Sequence, residues 1–129
     1  VKLVPTEDHY NDPTIEWFLE LDGTIHFVDE RCKYRVKIEA KRTDATPERP
    51  HGLSYSLTLH DADNQRILGF DNAHPVRARK GPGGKKHRFH DHRHRYDETR
   101  VYYFVDTATL ITDFYKAVDR ILDELGVKR

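Results

Sequence analysis

The C-terminal end of the chain carries one helical stripe of apolar residues, and this stripe most constrains the fold. Asp106 is a candidate N-cap for the helix, and Gly126 is a candidate C-terminal stop. A helix with a single apolar face has to cover another apolar surface, so the rest of the chain must supply one. The apolar residues recur at three- and four-residue spacing: Leu110, Ile111, Phe114, Val118, Ile121, Leu122 and Leu125.

The preceding chain supplies such a surface, because it alternates apolar and polar residues as half-buried strands do. Residues 15–38 read mainly as strand, with Cys32 opening the clearest alternation. Residues 53–59 alternate again, a turn follows, and residues 66–70 return as the second arm of a hairpin. Residues 101–105 are expected to form a short apolar strand. The pattern predicts an α+β fold: a single antiparallel β-sheet of about five or six strands, with the long C-terminal helix packed on one face.

The length of 129 residues allows one core, so a single domain over 1–129 is expected. Residues 1–13 are polar and are expected to be poorly ordered, whereas 76–89 are expected to form a basic, flexible loop. No apolar run is long enough to cross a bilayer, so no membrane association is expected. The single cysteine excludes an internal disulfide and fits a reducing cytoplasm, where we expect the protein to be located.

The charges are divided unevenly, although the formal net charge is zero. Residues 1–30 contain eight carboxylates and one lysine, whereas residues 76–95 contain eight Arg and Lys, one acid and four histidines. Like charges gathered on one segment repel one another unless an anion neutralises them, which favours an anionic partner. The alternative is a solvated loop that folds back on the acidic N-terminal segment.

The strongest local signal is the run His90-Asp91-His92-Arg93-His94. In an extended conformation the three histidines share one face, and Asp91 and Arg93 point to the other. Imidazoles on one face can act as a general acid and base, because imidazole gains and loses a proton near neutral pH. They can equally bind a transition metal, in which case the ligands would be His90, His92 and His94. A third interpretation is nonspecific anion or metal binding by exposed histidines.

RNA cleavage needs an acid, a base and cations for the phosphate, and the sequence offers each. His92 and His94 are the acid/base candidates, and Asp71 is a candidate for orienting one of them. The same Asp71-Asn72 pair also fits a plain strand-ending turn. No cofactor and no dedicated metal are expected. The candidate substrate-binding residues are Arg93, Lys86, Arg88 and Asn72.

Several short motifs in order resemble the TumE-type toxin family of prokaryotic toxin–antitoxin modules, over roughly residues 33–122. The resemblance implies a growth-inhibiting toxin with an RNase-like activity, encoded beside an antitoxin with a helix-turn-helix DNA-binding domain. The chain differs from the family pattern in its longer basic insert, its acidic N-terminal segment and the extra His90. The matching motifs are Gly52-Leu53-x-Tyr55-x-Leu57, Leu68-Gly69-Phe70-Asp71-Asn72, Asp91-His92-Arg93-His94 and Leu110-Ile111-x-Asp113-Phe114.

The resulting hypothesis is a toxin that acts on RNA as a metal-independent ribonuclease with histidine acid/base chemistry. Its expected partners are RNA and the antitoxin, with an oligomer in the toxin–antitoxin complex. Two alternatives remain open at the sequence level. One is a non-enzymatic module that binds nucleic acid or protein, and the other is a metal-binding protein with a histidine cluster.

Overall fold

The structure is a computed structural model that describes residues 12–47, 49–72, 75–77, 87–89 and 91–129. It confirms the expected α+β fold, with one antiparallel sheet and a long C-terminal helix. The elements in chain order are α1 (Ile15–Glu20), β1 (Thr24–Phe27), β2 (Arg35–Arg42), β3 (Leu53–His60), β4 (Arg66–Asp71), β5 (Pro75–Arg77), β6 (His87–Phe89), β7 (His92–Arg95), β8 (Glu98–Val101) and α2 (Thr107–Glu124).

The main sheet has six strands in the order β1-β2-β3-β4-β7-β8, and β5 pairs with β6 in a separate two-stranded sheet. β4 and β7 are therefore neighbours, although the β5–β6 pair lies between them in sequence. Their register sets Asp71 opposite His92 and Phe70 opposite Arg93. The chain thus leaves the main sheet at the end of β4 and returns to it in β7, which pairs with β4.

The core lies between α2 and one face of the sheet. Asp106 caps the helix as expected, with its side chain accepting a hydrogen bond from the backbone N–H of Thr109 at 2.7 Å. Phe114 of α2 meets Phe70 of β4 edge to face, with ring centroids 5.7 Å apart. Full burial of such a side chain contributes about 1.5–3 kcal/mol. The opposite side of the sheet, called the distal face below, carries mainly polar side chains because no helix of the described chain covers it.

Residues 15–20 form the helix α1 and not a strand, so the strand prediction for this part was wrong. Phe18 is fully buried and packs against Tyr55 with ring centroids 6.3 Å apart. Ile15, Phe18 and Leu19 stand at helical spacing and all pack toward the core. The alternation of apolar residues over so short a segment was compatible with either period, and tertiary contact decided between them.

Two predicted strands have different limits in the structure. β2 begins at Arg35, whereas Cys32 is exposed in a turn at a φ of 55°. β8 ends at Val101, so residues 102–105 do not form the expected strand. They link β8 to α2 instead, and the backbone N–H of Tyr102 donates to the carbonyl of Asp91 at 2.9 Å.

The sequence also led to expectations for residues 76–89, for residues 1–13 and for membrane spans, and the structure describes only part of these regions. Both ends of the segment expected to be a basic loop, 76–89, belong to the paired strands β5 and β6, and residues 78–86 lie outside the described part. Asp12 is tied to α2, since its Oδ2 accepts from the backbone N–H of Thr107 at 2.7 Å. Residues 1–11 also lie outside the described part. None of the described helices has the length and apolar character needed to cross a membrane.

Candidate histidine–aspartate site

The centre of the candidate site is the carboxylate of Asp71, which is buried at the end of β4. His92 of β7 is its cross-strand neighbour, and the Nε2 atom of His92 lies 2.8 Å from Oδ1 of Asp71. Directly paired residues of an antiparallel sheet have side chains close enough to interact. The register of β4 and β7 therefore places this acid and this histidine in contact.

His94 completes the cluster because it lies two residues beyond His92 on the same face of β7. Its Nε2 atom is 3.3 Å from Oδ2 of Asp71, so each imidazole approaches a different oxygen of one carboxylate. The two rings stand edge to face with centroids 4.5 Å apart. The His92 side chain is 5% exposed and that of His94 is 16% exposed, so His94 is the more accessible of the two.

Asp71 is held in its ionised form. Burial alone would raise the pKa of its carboxyl group, but the hydrogen bonds and charges of His92 and His94 outweigh burial and hold the pKa well below the ordinary value of 3.8. An ionised carboxylate only accepts hydrogen bonds, so an imidazole nitrogen that faces it can contribute only as an N–H donor.

Thr99 of β8 contacts the remaining nitrogen of His94. The distance from its Oγ1 to Nδ1 of His94 is 3.0 Å. A hydroxyl group can donate to a neutral imidazole and accept from a protonated one. This contact therefore fits both protonation states of His94.

Arg66 brings a positive charge to the cluster, since its Nη1 atom lies 4.0 Å from Oδ2 of Asp71. Arg93 does not, because its guanidinium lies over the Phe70 ring, 5.1 Å from the centroid, on the face that packs against α2. Among the described residues, the arginine beside Asp71 is therefore Arg66 of β4 and not Arg93 of the histidine-rich run. No sequence pattern distinguishes Arg66 from the many other surface arginines.

A second buried network lies on the other side of the sheet around Asp91. His51 Nε2 is 3.2 Å from both carboxylate oxygens of Asp91, and the Tyr55 hydroxyl donates to Oδ2 at 2.7 Å. The backbone N–H of Leu53 donates to Nδ1 of His51 at 3.2 Å, so Nε2 is the protonated nitrogen that faces Asp91. From its sequence His51 is only a loop residue, because the partner is 40 positions away.

Asn72 binds the backbone of β3 with its whole side-chain amide. Its Oδ1 accepts from the N–H of Tyr55 at 2.9 Å, and its Nδ2 donates to the carbonyl of Leu53 at 2.9 Å. The residue is fully buried. In this arrangement Asn72 fixes the end of β4, and with it the carboxylate of Asp71, against β3.

The remaining predicted residues lie elsewhere or outside the described part. Lys86 and His90 are among the residues that the structure does not describe, and Arg88 lies in β6, for which only the backbone is described. Of the histidines proposed as metal ligands, His92 and His94 come together with Asp71, whereas His90 lies outside the described residues. Their potential ligand atoms lie within 4.8 Å of one another, a spacing that one metal ion could bridge.

The fold and the site define a small α+β protein with two imidazoles on one buried carboxylate, a grouping able to move protons or to hold a cation. The family described as Toxin TumE matches residues 3–122, and the chain belongs to this family. It is accordingly a toxin of a toxin–antitoxin system, and its family implies an antitoxin as partner. No curated protein and no solved structure matches the chain significantly.

Proposed function

We propose that this toxin cleaves RNA without a metal ion, with His92 and His94 as the acid/base pair. The observation that carries the proposal is the shared carboxylate: two imidazoles contact Asp71 at 2.8 and 3.3 Å. One negative charge between two imidazoles balances one imidazolium. The cluster can therefore hold a neutral base and a charged acid at the same time, as transesterification requires.

In the proposed reaction the neutral imidazole takes the proton of the 2′-OH group, and the 2′-oxygen attacks the adjacent phosphorus. The imidazolium donates its proton to the departing 5′-oxygen. The bond from phosphorus to that oxygen breaks, which leaves a 2′,3′-cyclic phosphate and a 5′-OH end. Asp71 orients both rings through their Nε2–H groups and is not itself protonated, as in other acid–histidine pairs.

The test is cleavage of total RNA by the purified full-length toxin in EDTA. We expect discrete fragments with cyclic phosphate ends, and loss of cleavage in the double variant His92→Ala/His94→Ala. His26→Ala is the matched control, because His26 is an exposed histidine of β1 that contacts Tyr115 and not the cluster. Intact RNA with the unmodified toxin, or equal cleavage by the double variant, would contradict the proposal.

A second candidate function follows from the close grouping of Asp71, His92 and His94, which suits a divalent transition metal. A metal-dependent toxin would bind zinc or manganese in a one-to-one ratio and lose its activity in EDTA. Metal analysis of the purified protein, with His92→Ala as the comparison, separates the two candidates. Stoichiometric metal in the active protein and none in the variant would favour the metal-dependent reaction.

A further inference from the structure

Arg66 lies on the distal face because β4 contains an irregularity. Leu59 pairs with Leu68, but the next residue of β3, His60, pairs with Arg66, so Ile67 is an extra residue in β4. In a regular strand, Arg66 and Leu68 would share the face that packs against α2. The β-bulge turns Arg66 to the other face, where Asp71 lies, and bulges commonly re-aim side chains in this way.

Gly69 leaves the space that the Arg66 side chain occupies. A Cβ atom at Gly69 would lie 3.3 Å from Cδ of Arg66 and 3.5 Å from its Nη1, a tight approach for any larger residue. A glycine inside a strand weakens the strand and often marks a close approach of other atoms. The Arg66 side chain thus lies across β4 over Gly69, and its guanidinium reaches the neighbourhood of Asp71.

The guanidinium is available to a ligand. Among the described residues its contact is the 4.0 Å ion pair with Asp71, and it donates no hydrogen bond to them. The Arg66 side chain is 40% exposed. Five N–H donors in a planar fork, next to a site for proton transfer, match the oxygens of a phosphate group.

The surroundings of Arg66 are electropositive. His60, its cross-strand partner, has a lowered pKa, first because the ring is partly buried and then because Arg35, Lys37 and Arg66 repel its protonated form. Lys37 belongs to the same face, since it pairs with Thr58, which in turn pairs with Gly69. Glu39 lies 3.8 Å from Lys37 and offsets part of this charge.

We propose that Arg66, supported by Lys37, binds the phosphodiester backbone of a single-stranded nucleic acid beside the Asp71–His92–His94 cluster. This inference rests on the proposed function for the identity of the anion. Arg66 contacts a phosphate directly, and Gly69 and the bulge at Ile67 position it. The bound nucleic acid would then cross the distal face from the histidines toward β2.

The test measures binding of a labelled 2′-O-methyl RNA by fluorescence anisotropy at several salt concentrations. This probe has no free 2′-OH, so the result does not depend on cleavage. We expect Arg66→Ala to weaken binding about tenfold, which is the effect of losing a charged hydrogen bond. The slope of log K against log salt should fall by about 0.7, the value for one phosphate contact on a single strand.

Arg100→Ala is the matched control, because Arg100 is an exposed arginine of β8 that pairs with Arg93 and faces away from the cluster. It should change binding less than twofold. Gly69→Ala keeps every charge and should weaken binding by displacing Arg66, which a general charge effect would not do. Arg66→Lys should fall between the unmodified toxin and Arg66→Ala, and it replaces that variant if Arg66→Ala fails to fold.

Equal binding by the Arg66 and Arg100 variants would overturn the inference. It would also be overturned if Arg66→Ala weakened antitoxin binding while the 2′-O-methyl RNA bound as before, since the surface would then be a protein contact. Arg66-dependent binding of the probe without any cleavage of natural RNA would leave this site in place and remove only the ribonuclease proposal.

Discussion

Asp71 and His92 lie opposite each other on neighbouring strands, and the side-chain contact between them, 2.8 Å from Oδ1 to Nε2, spans the gap between β4 and β7. The chain between these strands leaves the main sheet and includes the β5–β6 pair. The site therefore lies where the chain leaves the main sheet at the end of β4 and returns to it at the start of β7. A change in the register of β4 and β7 would remove the site and the pairing together.

Asp71→Asn should change how stability depends on pH. The folded state lowers the pKa of Asp71 below 3.8, so its ionisation stabilises the fold fully above about pH 4 and loses this effect as the pH falls further. We expect the variant to be about 1–3 kcal/mol less stable at pH 7, with the difference shrinking below pH 4.

Urea unfolding of both proteins between about pH 2 and pH 7 measures this difference, because carboxylates titrate within this range. Asp63→Asn, at an exposed position in the turn before β4, is the control and should track the unmodified toxin throughout. A constant gap between the Asp71 variant and the unmodified toxin at all pH values would contradict the assignment.

Tyr55→Phe should destabilise the protein without changing its shape. The Tyr55 hydroxyl donates to the largely buried carboxylate of Asp91, and the variant leaves that oxygen without this donor. The expected loss is about 1–3 kcal/mol in the free energy of unfolding. Tyr103→Phe removes the same hydroxyl from a side chain that is 83% exposed and should change stability little. Equal stability of the two variants would rule out a structural role for the Asp91 network.

Asn72→Ala should lower stability rather than substrate affinity alone. The amide of Asn72 binds the backbone of Leu53 and Tyr55, and alanine would leave both buried groups without partners. We expect the free energy of unfolding, measured by chemical denaturation, to fall by about 2–4 kcal/mol, because two buried hydrogen bonds are lost. Gln65→Ala in the exposed turn is the control. A variant of normal stability that binds RNA poorly would instead support the substrate-binding role that the sequence suggested.

Thr99→Val should impair proton transfer through His94. The variant removes the hydroxyl that lies 3.0 Å from Nδ1 of His94 but keeps the branched shape. We expect cleavage to fall about 3- to 10-fold, the effect of one hydrogen bond. Thr99→Ser, which keeps the hydroxyl, should restore the activity. Failure of serine to rescue the activity would show that the methyl group and not the hydroxyl matters.

The amino-acid sequence by itself determined the elements whose periodicity is long or whose ends are marked. The apolar stripe and the cap of α2, the hairpin of β3 and β4, and the shared face of His92 and His94 all follow from local patterns. Each depends on residues a few positions apart, and the local geometry of helices and strands fixes such relationships. The family motifs likewise pointed to Asp71 and to the histidines of β7.

Only the tertiary structure decided which residues meet. α1 is helical because Phe18 is buried against β3, a contact that no six-residue pattern reveals. Arg66 faces Asp71 because one extra residue in β4 reverses its side, whereas Arg93 packs over Phe70. His51 meets Asp91 across 40 positions of sequence. Strand register and bulges depend on the summed packing of the whole sheet, and therefore the composition of the site was settled by contacts between residues that are distant along the chain.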